Sequence, residues 1–548
     1  TTSYLYYKSG VCGTATNATE VSAEALASGE VAWLLNGSTA EGDVAWYQNL
    51  SENADAYPVL DSSHGKVYGS YVGCDSLLLY YSNNPLPTSL EHNYDAYGFC
   101  SNCGSFQPAT LISEGNYEIA NAGQLYWFAE KVNKGENING RLTADIVVNE
   151  EVLTADGKLN GDRTRFKMWT PIGNMYYNGT FDGQGHTISG LVLMDNTALY
   201  IGLFQINASR GIIKNVGLVD SYFYANIYTG GICGRNDGTV ENCFNAAKCI
   251  ANKYSGGIVG GNNGGSIANC YNIGIIDGDG YISGICAYNS GSVSNSYYLE
   301  ETADAGIGYG SGSGTTTAKT AEQFASGEVA WLLNGSEAGE SPAWRQTIGE
   351  DKYPVLDAAS GIVIHTTPTS LNSIVRPTAG TLVGVSDVYN FAGIEGKKVY
   401  GIPQTGTLAA AHPYVFTTNC EYVSFVPSDE DVTDNTETCG LTGVLDPAGV
   451  KVYGKDNTAG ADVSIVFTAD ALKYANPTGN TVKYGKCYID AGQCFISSVP
   501  AMASKIASAF EDGVDGLENV SIDSVEGETY NLQGIPVGDN YKGFIIQN

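Results

Sequence analysis

The chain has 548 residues, of which 58 are Asp or Glu and 27 are Lys or Arg, so its formal charge is −31. A field of that sign repels nucleic acid and anionic membranes and leaves cations, carbohydrates and other proteins as partners. No apolar run reaches the roughly 20 residues that span a bilayer, and 69 glycines and 37 tyrosines with only 16% charged residues suit a β-rich extracellular protein.

The sequence opens at Thr1 without a Met or a signal peptide, as a mature or trimmed export product would. Residues 1–19, with SYLYYKSGVCG, read as the end strand of a β-coil whose other coils are missing from view. Either an upstream β-helix has been removed, or the strand completes a coil on another subunit. Next comes a duplication: ASGEVAWLLNGS occurs identically at 27–38 and 325–336, and YPVLD closes both copies at Asp61 and Asp357. Residues 20–68 and 319–364 are therefore two copies of one module. In the first, Ala27, Val31, Leu34 and Leu35 share one face of a predicted helix, and Asn36-Gly37 is a left-handed stop. PVLD followed by GKVY or GIVI predicts a short strand pair. The helix is expected to cover the exposed end of a β-helix, where open strand edges would otherwise invite aggregation.

Residues 69–110 hold the tight cysteine motif FCSNCG. With two upstream residues it makes the set Cys74, His92, Cys100 and Cys103, which suits one tetrahedral structural zinc. Such an ion would add folding energy to a segment with little core. Two disulfides, or plain reduced thiols, are the competing readings. A catalytic zinc is disfavoured because all four ligands would come from the protein.

Residues 111–318 are predicted to form a right-handed parallel β-helix. At its start NAGQLYWFAEKVNKG places Leu125, Phe128, Ala129 and Val132 on one helical face before Gly135, as an N-terminal cap would. LTADIVVNEE, WTPIGN and YNGTFDGQGHTISGLVL then lead into TGGICGRNDGTVENCFN, SGGIVGGNNGGSIANCYN and ISGICAYNSGSVSNSYY. Gly231, Gly257 and Gly284, with Asn242, Asn269 and Asn295, set a period of 26 to 27 residues. A repeat this short cannot bury its own apolar face and must stack on its neighbours. Ile232, Ile258 and Ile285 fall in one inward ladder and Val240, Ile267 and Val293 in another, with coils about 4.8 Å apart. Gly and Asn between strands supply left-handed corners. Cys243 stacks on Cys270, and Cys233 and Cys286 flank Val259, as buried core thiols. Asp182 and His186 in FDGQGHT read as a structural turn, since a polysaccharide-cleaving groove needs several clustered acids or an acid with a base.

Residues 365–515 begin with a Pro/Thr-rich linker, HTTPTSLNSIVRPT. Short apolar runs and turns then alternate to about 512, as in an antiparallel β-sandwich. Cys420 with Cys439, and Cys487 with Cys494, are each placed to form a disulfide. The acidic loop SDEDVTDNTET lacks the ordered carboxylate spacing of a calcium site and reads as solvated. Residues 516–548 carry two short strand patterns, YNLQGIPV and KGFIIQN. The expected fold is thus predominantly all-β: a right-handed parallel β-helix with helical caps and a C-terminal antiparallel β-sandwich.

GGIVGGNNGGSIANCYN resembles the GLUG-type repeat of bacterial cell-surface and adhesin-like proteins. ASGEVAWLLNG, HNYDAYGFCSNCGSFQPA, NAGQLYWFAEKVN, and WTPIGN with GTFDGQGHTISGL, are similar, in this order, to segments of large secreted proteins of anaerobic gut bacteria. The C-terminal YNLQGIPV and KGFIIQN resemble the terminal segment of exported Bacteroidales proteins, where it often works as a sorting or anchoring signal. That segment usually continues with a Gly and basic residues, whereas this sequence stops at Asn548. The resemblance implies an extracellular location, on the cell surface or in a secreted filament, and specifies no activity.

The histidines, His64, His92, His186, His365 and His412, are scattered among turns and linkers, and no phosphate-cradling loop occurs. The expectation is a non-enzymatic structural or adhesive surface protein, the subunit of a fibre assembled head to tail by strand or coil complementation. Its partners would be its own copies or host and bacterial surface ligands. A glycan-binding module using exposed Tyr and Trp is the alternative. A polysaccharide-active β-helix enzyme comes third, on fold analogy alone.

Overall fold

A computed structural model describes residues 5–11, 18–51, 53–71, 79–85, 92–174, 176–395, 398–438, 440–452, 464–467, 472–474, 479–490, 529–530 and 536–537. The chain divides into two units: Thr1–Ala109 with Asn121–Trp127, and Thr110–Ala120 with Phe128–Asn548. Among the described residues, no helix is long and apolar enough to cross a membrane.

The first unit opens on a parallel strand pair, Tyr6–Lys8 against Thr19–Val21. Where the apolar spacing predicts one helix there are two, α1 (Ala23–Ala27) and α2 (Glu30–Leu35). Gly29 breaks them at φ 94°, and a Cβ there would lie 2.8 Å from a Leu50 methyl, so the chain turns where only glycine fits. The predicted stop is present: Gly37 has φ 72°, and the Ser38 N–H donates to the Trp33 carbonyl. The Asn36 side chain then brackets the backbone of Trp46, at 2.7 and 3.0 Å. The expected strand pair after PVLD does not form in either copy. Instead Tyr47 bridges Val59, and Arg345 bridges Val355.

The second unit contains a parallel β-solenoid of about seven turns. Successive coils contribute strands such as Ile212–Lys214, Thr239–Glu241, Ser266–Ala268 and Ser292–Leu299 to shared sheets. Phe181, Ile213, Val240, Ile267 and Val293 stand in register down one buried column. In another, the Ile232 N–H donates to Ile258 and the Ile258 N–H to Ile285, both at 3.0 Å. Cys233, Val259 and Cys286 form the thiol ladder the repeats predict. The corners Asn215, Asn242, Asn269 and Asn295 take φ between 41° and 54°, the left-handed backbone expected of them.

A polar column runs inside the coil as well. Asn207, Asn236, Asn262 and Asn289 are buried, and each carboxamide Nδ2 donates to the next Oδ1 at 2.8, 2.9 and 2.9 Å. Each also reaches backbone carbonyls of the turn beside it. A buried amide without partners is costly, and the stacked amides satisfy one another along the column because equivalent residues lie one interstrand spacing apart, with the Asn207 Oδ1 at its head left without a partner among the described residues.

Helix α3 (Ala122–Asn133) buries Leu125, Phe128, Ala129 and Val132, as its periodicity predicts. Phe128 sits 5.8 Å from Phe181 and 6.3 Å from Tyr177, plugging the first coils. At the far end Ile307–Tyr309 and Ser313–Lys319 pair onto the last coil and extend it by a partial turn. The second module copy packs beside the coils and not over that end. Its helices α4 (Ala321–Ala325) and α5 (Glu328–Leu333) lie against the flank, where Phe244 and Tyr271 stack outward. Trp344 packs 5.1 Å from Tyr271 and donates from Nε1 to the Asn269 carbonyl at 3.0 Å. Outward aromatics on successive coils draw the module sideways, because docking there buries two rings and Trp344 together.

The expected linker at 365–378 is part of a packed sandwich. Ile362–His365 pairs with Tyr422–Pro427, and Leu371–Ile374 with Tyr414–Thr417. Thr366, Asn372, Ser373 and Arg376 are buried, with Asn372 donating to the Thr367 and Ser370 carbonyls. Ile364, Ile374, Leu382, Phe416, Val423 and Phe425 fill the space between a three-stranded and a four-stranded antiparallel sheet. Among the described residues beyond 440, strands such as Leu441–Gly443, Ser464–Phe467 and Cys487–Asp490 form further antiparallel sheets around Val444, Val452, Val466 and Val482, so the expected single sandwich resolves into two packed groups. Cys420 and Cys487 are free thiols, and their expected partners Cys439 and Cys494 lie outside the described residues. Of the C-terminal patterns, Thr529–Tyr530 pairs antiparallel with Pro536–Val537, and KGFIIQN lies outside the described residues.

The asparagine column makes a sharp test. Asn262→Ala removes a donor and an acceptor from the middle of the ladder and should destabilise by about 2–4 kcal/mol. Asn263→Ala, at an exposed neighbour, should stay within about 0.5 kcal/mol of wild type in the same urea titrations.

Candidate functional site

Three of the four predicted metal ligands converge in the first unit. The turn that carries them is set by Asp95, whose Oδ1 accepts from the N–H groups of Tyr97 and Phe99 at 2.9 Å each. This reverses the chain so that Tyr94 bridges Cys100 and Phe99 bridges Phe106. The Gly104 N–H then closes the cysteine turn onto the Cys100 carbonyl at 2.7 Å, with φ 75° at Gly104. Phe99 and Phe106 flank the turn and pack on Tyr126, with ring centroids 5.7 and 5.1 Å away.

His92, Cys100 and Cys103 each aim one ligand atom into the resulting pocket, and these atoms all lie within 4.8 Å of one another. The Cys103 Sγ stands 3.7 Å from His92 Nδ1, and the Ser105 hydroxyl lies beside both, at 2.9 and 3.1 Å. His92 is held by stacking on Tyr94 at 5.2 Å. Cys100 is buried and Cys103 exposed. Burial raises the Cys100 thiol, but hydrogen bonds from His92 and the N–H groups of Asn102, Cys103 and Asn93 outweigh it and bring the group down to about 6. In the solenoid, by contrast, burial pushes Cys233 and Cys286 up to about 12. The Cys100 environment therefore favours a thiolate, a nucleophile or soft metal ligand, where the core thiols are inert. Cys74 lies outside the described residues.

Asp182 and His186 do not meet as a catalytic pair. Asp182 heads the column of corner asparagines, accepting from Asn215 Nδ2 at 3.0 Å, and Asn215 in turn accepts from Asn242 at 3.1 Å. His186 faces Asp145 at 3.5 Å.

One polar cluster went unread in the sequence. In the sandwich, Asp434 Oδ2 accepts from Tyr414 Oη and Asn390 Nδ2, each at 3.0 Å, and His412 Nε2 lies 2.8 Å from Asn390 Oδ1. Thus the loop read as wholly solvated is pinned at its centre by an inward carboxylate. The one local signal was Asp-Asn-Thr, where the Thr436 N–H donates to Asp434 Oδ1 at 2.9 Å.

A tyrosine ladder climbs another solenoid face. Tyr200, Tyr228, Tyr254, Tyr281 and Tyr309 follow at centroid spacings of 5.2, 4.7, 5.5 and 5.4 Å. The first three steps are nearly parallel, at 18°, 9° and 8°. Each ring covers the face of the next, so sugar stacking would find ring edges along most of the column.

The two module copies differ in what covers them. Trp344 is fully buried against the solenoid, and Tyr353 and Leu356 are half-buried beside it. In the first copy Trp46 is half-buried, Tyr57 is 53% exposed and Leu60 69% exposed. The strands before the modules correspond as well. Tyr6 and Tyr7 pair with Thr19 and Glu20 in parallel, as Tyr297 and Tyr298 pair with Thr317 and Ala318 at the end of the solenoid.

No family model matches the chain. Over 152 residues, 27% of its length, it is 30% identical to halomucin of Haloquadratum walsbyi, of which it spans 2%. Over 79 residues, 14% of its length, it is 30% identical to a protein of Evansella cellulosilytica provisionally named a Gly-rich membrane protein, of which it spans 9%. The chain thus spans a small fraction of each of these relatives. A crystal structure from Bacteroides ovatus, provisionally named an immunoglobulin A1 protease, aligns with 47% of the chain and 96% of its own at 19% identity and a TM-score of 0.31. A likeness that weak carries no argument about activity.

Asp434 supplies a pH test. Burial raises its carboxyl, but the Thr436, Asn390 and Tyr414 hydrogen bonds outweigh it and hold the group at about 2, below the ordinary 3.8. A lowered folded value stabilises the fold above the ordinary value, and that contribution fades as pH falls from about 4 to about 2. Denaturation at stepped pH should show wild type losing about 1–2 kcal/mol across this window that Asp434→Asn does not lose.

Proposed function

We propose that this chain is a structural part of an extracellular or cell-surface protein, and that its first unit completes a parallel β-coil on a second copy, head to tail. The observation that carries this reading is the mismatch between the module copies. The second covers Trp344, Tyr353 and Leu356 with the flank of a β-coil, while the first leaves Tyr57 and Leu60 exposed behind a strand pair with the same register. The last solenoid strand, Ser313–Lys319, pairs on one edge with Ser292–Leu299 and, among the described strands, with no other. It is the edge to which Tyr6–Lys8 of a neighbour would add, in the manner of β-strand addition.

Several further features support a surface role. The charge of −31 keeps a large particle soluble, and the repeats resemble those of GLUG-type surface and adhesin-like proteins. The relatives' names, a mucin and a membrane protein, fit the same setting. Glycan binding, the second reading, has its best footing at the ladder's last rungs, Tyr281 and Tyr309, which are 46% and 53% exposed. The closed ring faces below them favour a supporting spine.

Light scattering across a concentration series, with electron microscopy of the full chain, tests the assembly. Wild type should form end-to-end particles as concentration rises. The double variant Tyr57→Asp, Leu60→Asp should need at least about ten-fold more protein, since each buried apolar side chain contributes roughly 1.5–3 kcal/mol. Discrete monomers of wild type throughout the range would overturn the proposal.

A further inference from the structure

We propose that His92, Cys100 and Cys103 hold one structural zinc ion. The proposal does not depend on assembly, because every residue it uses lies within the first unit.

Geometry comes first. Zinc bonds of about 2.3 Å to sulfur and 2.05 Å to nitrogen, at a tetrahedral angle, place the two ligand atoms about 3.6 Å apart. Cys103 Sγ and His92 Nδ1 stand 3.7 Å apart, and Cys100 Sγ lies within 4.8 Å of both. These separations are close to those of three atoms sharing one tetrahedral ion. A Cys100–Cys103 disulfide would need its sulfurs about 2 Å apart and would leave no role for the stacked imidazole that faces them.

The donor set selects the ion. Two thiolates and a neutral imidazole are soft to borderline ligands, suited to zinc and poor for calcium or magnesium. Two thiolate charges balance the ion, so no net charge is placed beside the Phe99, Phe106 and Tyr126 cluster, and binding releases the thiol protons to solvent. Ser105 stands beside them, its hydroxyl 2.9 Å from Cys103 Sγ, to which it can donate when the thiolate binds the ion, while its 3.1 Å contact with His92 Nδ1 gives way once that nitrogen takes the metal. A water or a further side chain takes the fourth position.

The local fold shows what the ion would do. The turn from 92 to 106 is built from short bridges and one aromatic cluster, and its two ends meet at the ligands. An ion there ties Tyr94 to Phe106 across the turn and fixes the aromatic cluster on Tyr126.

The test uses the full chain purified without chelator. Elemental analysis should find about one zinc per chain, and metal-free protein titrated with cobalt(II) should develop the thiolate charge-transfer and tetrahedral ligand-field bands. Cys103→Ser and His92→Ala should each weaken zinc binding by at least about ten-fold, while Cys420→Ser, at an exposed thiol in the sandwich, should leave the stoichiometry unchanged. Wild-type cobalt spectra keep the outcome decidable even where a variant fails to fold. The proposal is overturned by metal-free protein that takes up neither ion, by a Cys100–Cys103 disulfide in the native chain, or by zinc binding that both variants retain in full.

Discussion

The whole solenoid depends on one constraint: in a parallel coil each side chain lies one interstrand spacing from its own equivalent, so like must tolerate like. Apolar residues meet this easily, and Ile232, Ile258 and Ile285 simply pile up. Asparagine meets it in a different way, since a carboxamide is donor and acceptor at once and can pass a hydrogen bond along the column from Asn207 to Asn289. Tyrosine does so by lying flat on its neighbour. A charged residue repeated at that spacing would repel its copies, and none joins the buried columns.

The same constraint turns a coil's outer face into a docking surface. Phe244 and Tyr271 stack with an interplanar angle of 4°, and Phe244 occupies the space that a side chain at Gly217 would need. The module lays Phe324, Val329, Leu333 and Trp344 across them. The shared sequence in the first copy preserves the glycine between the helices and the asparagine clamp on the tryptophan backbone. It does not preserve the covering, because a covering belongs to the neighbour. The comparison separates what a module encodes internally from what it requires of its surroundings.

The cysteines divide along a related line. Within the solenoid they are small apolar fillers, pushed far from ionisation by burial. At Cys100 the backbone folds back to direct several N–H groups at sulfur, and an imidazole stands close by. One residue type therefore serves two purposes, and the local turn decides between them: an extended strand buries the thiol, while the C-x-x-C turn surrounds it with donors.

Much was legible in the sequence because it was periodic or local. The 26 to 27 residue spacing determined the solenoid, its isoleucine and thiol ladders and its left-handed corners, since each follows from stacking equivalent positions. Spacing also placed the buried face of α3, and the C-x-x-C motif with a nearby histidine marked the ligand cluster. What the sequence could not decide was non-local. Gly29 divides a helix because Leu50 and Val67 crowd it, and HTTPTSLNSIVRPT carries a packed strand because Leu371–Ile374 pairs with the distant Tyr414–Thr417. Asp434 turns inward only because Tyr414, twenty residues away, supplies a donor. Above all, the module lies on the flank of the solenoid rather than over its end. That position was chosen by aromatic surface on successive coils meeting a tryptophan from outside the repeats, which no local pattern records.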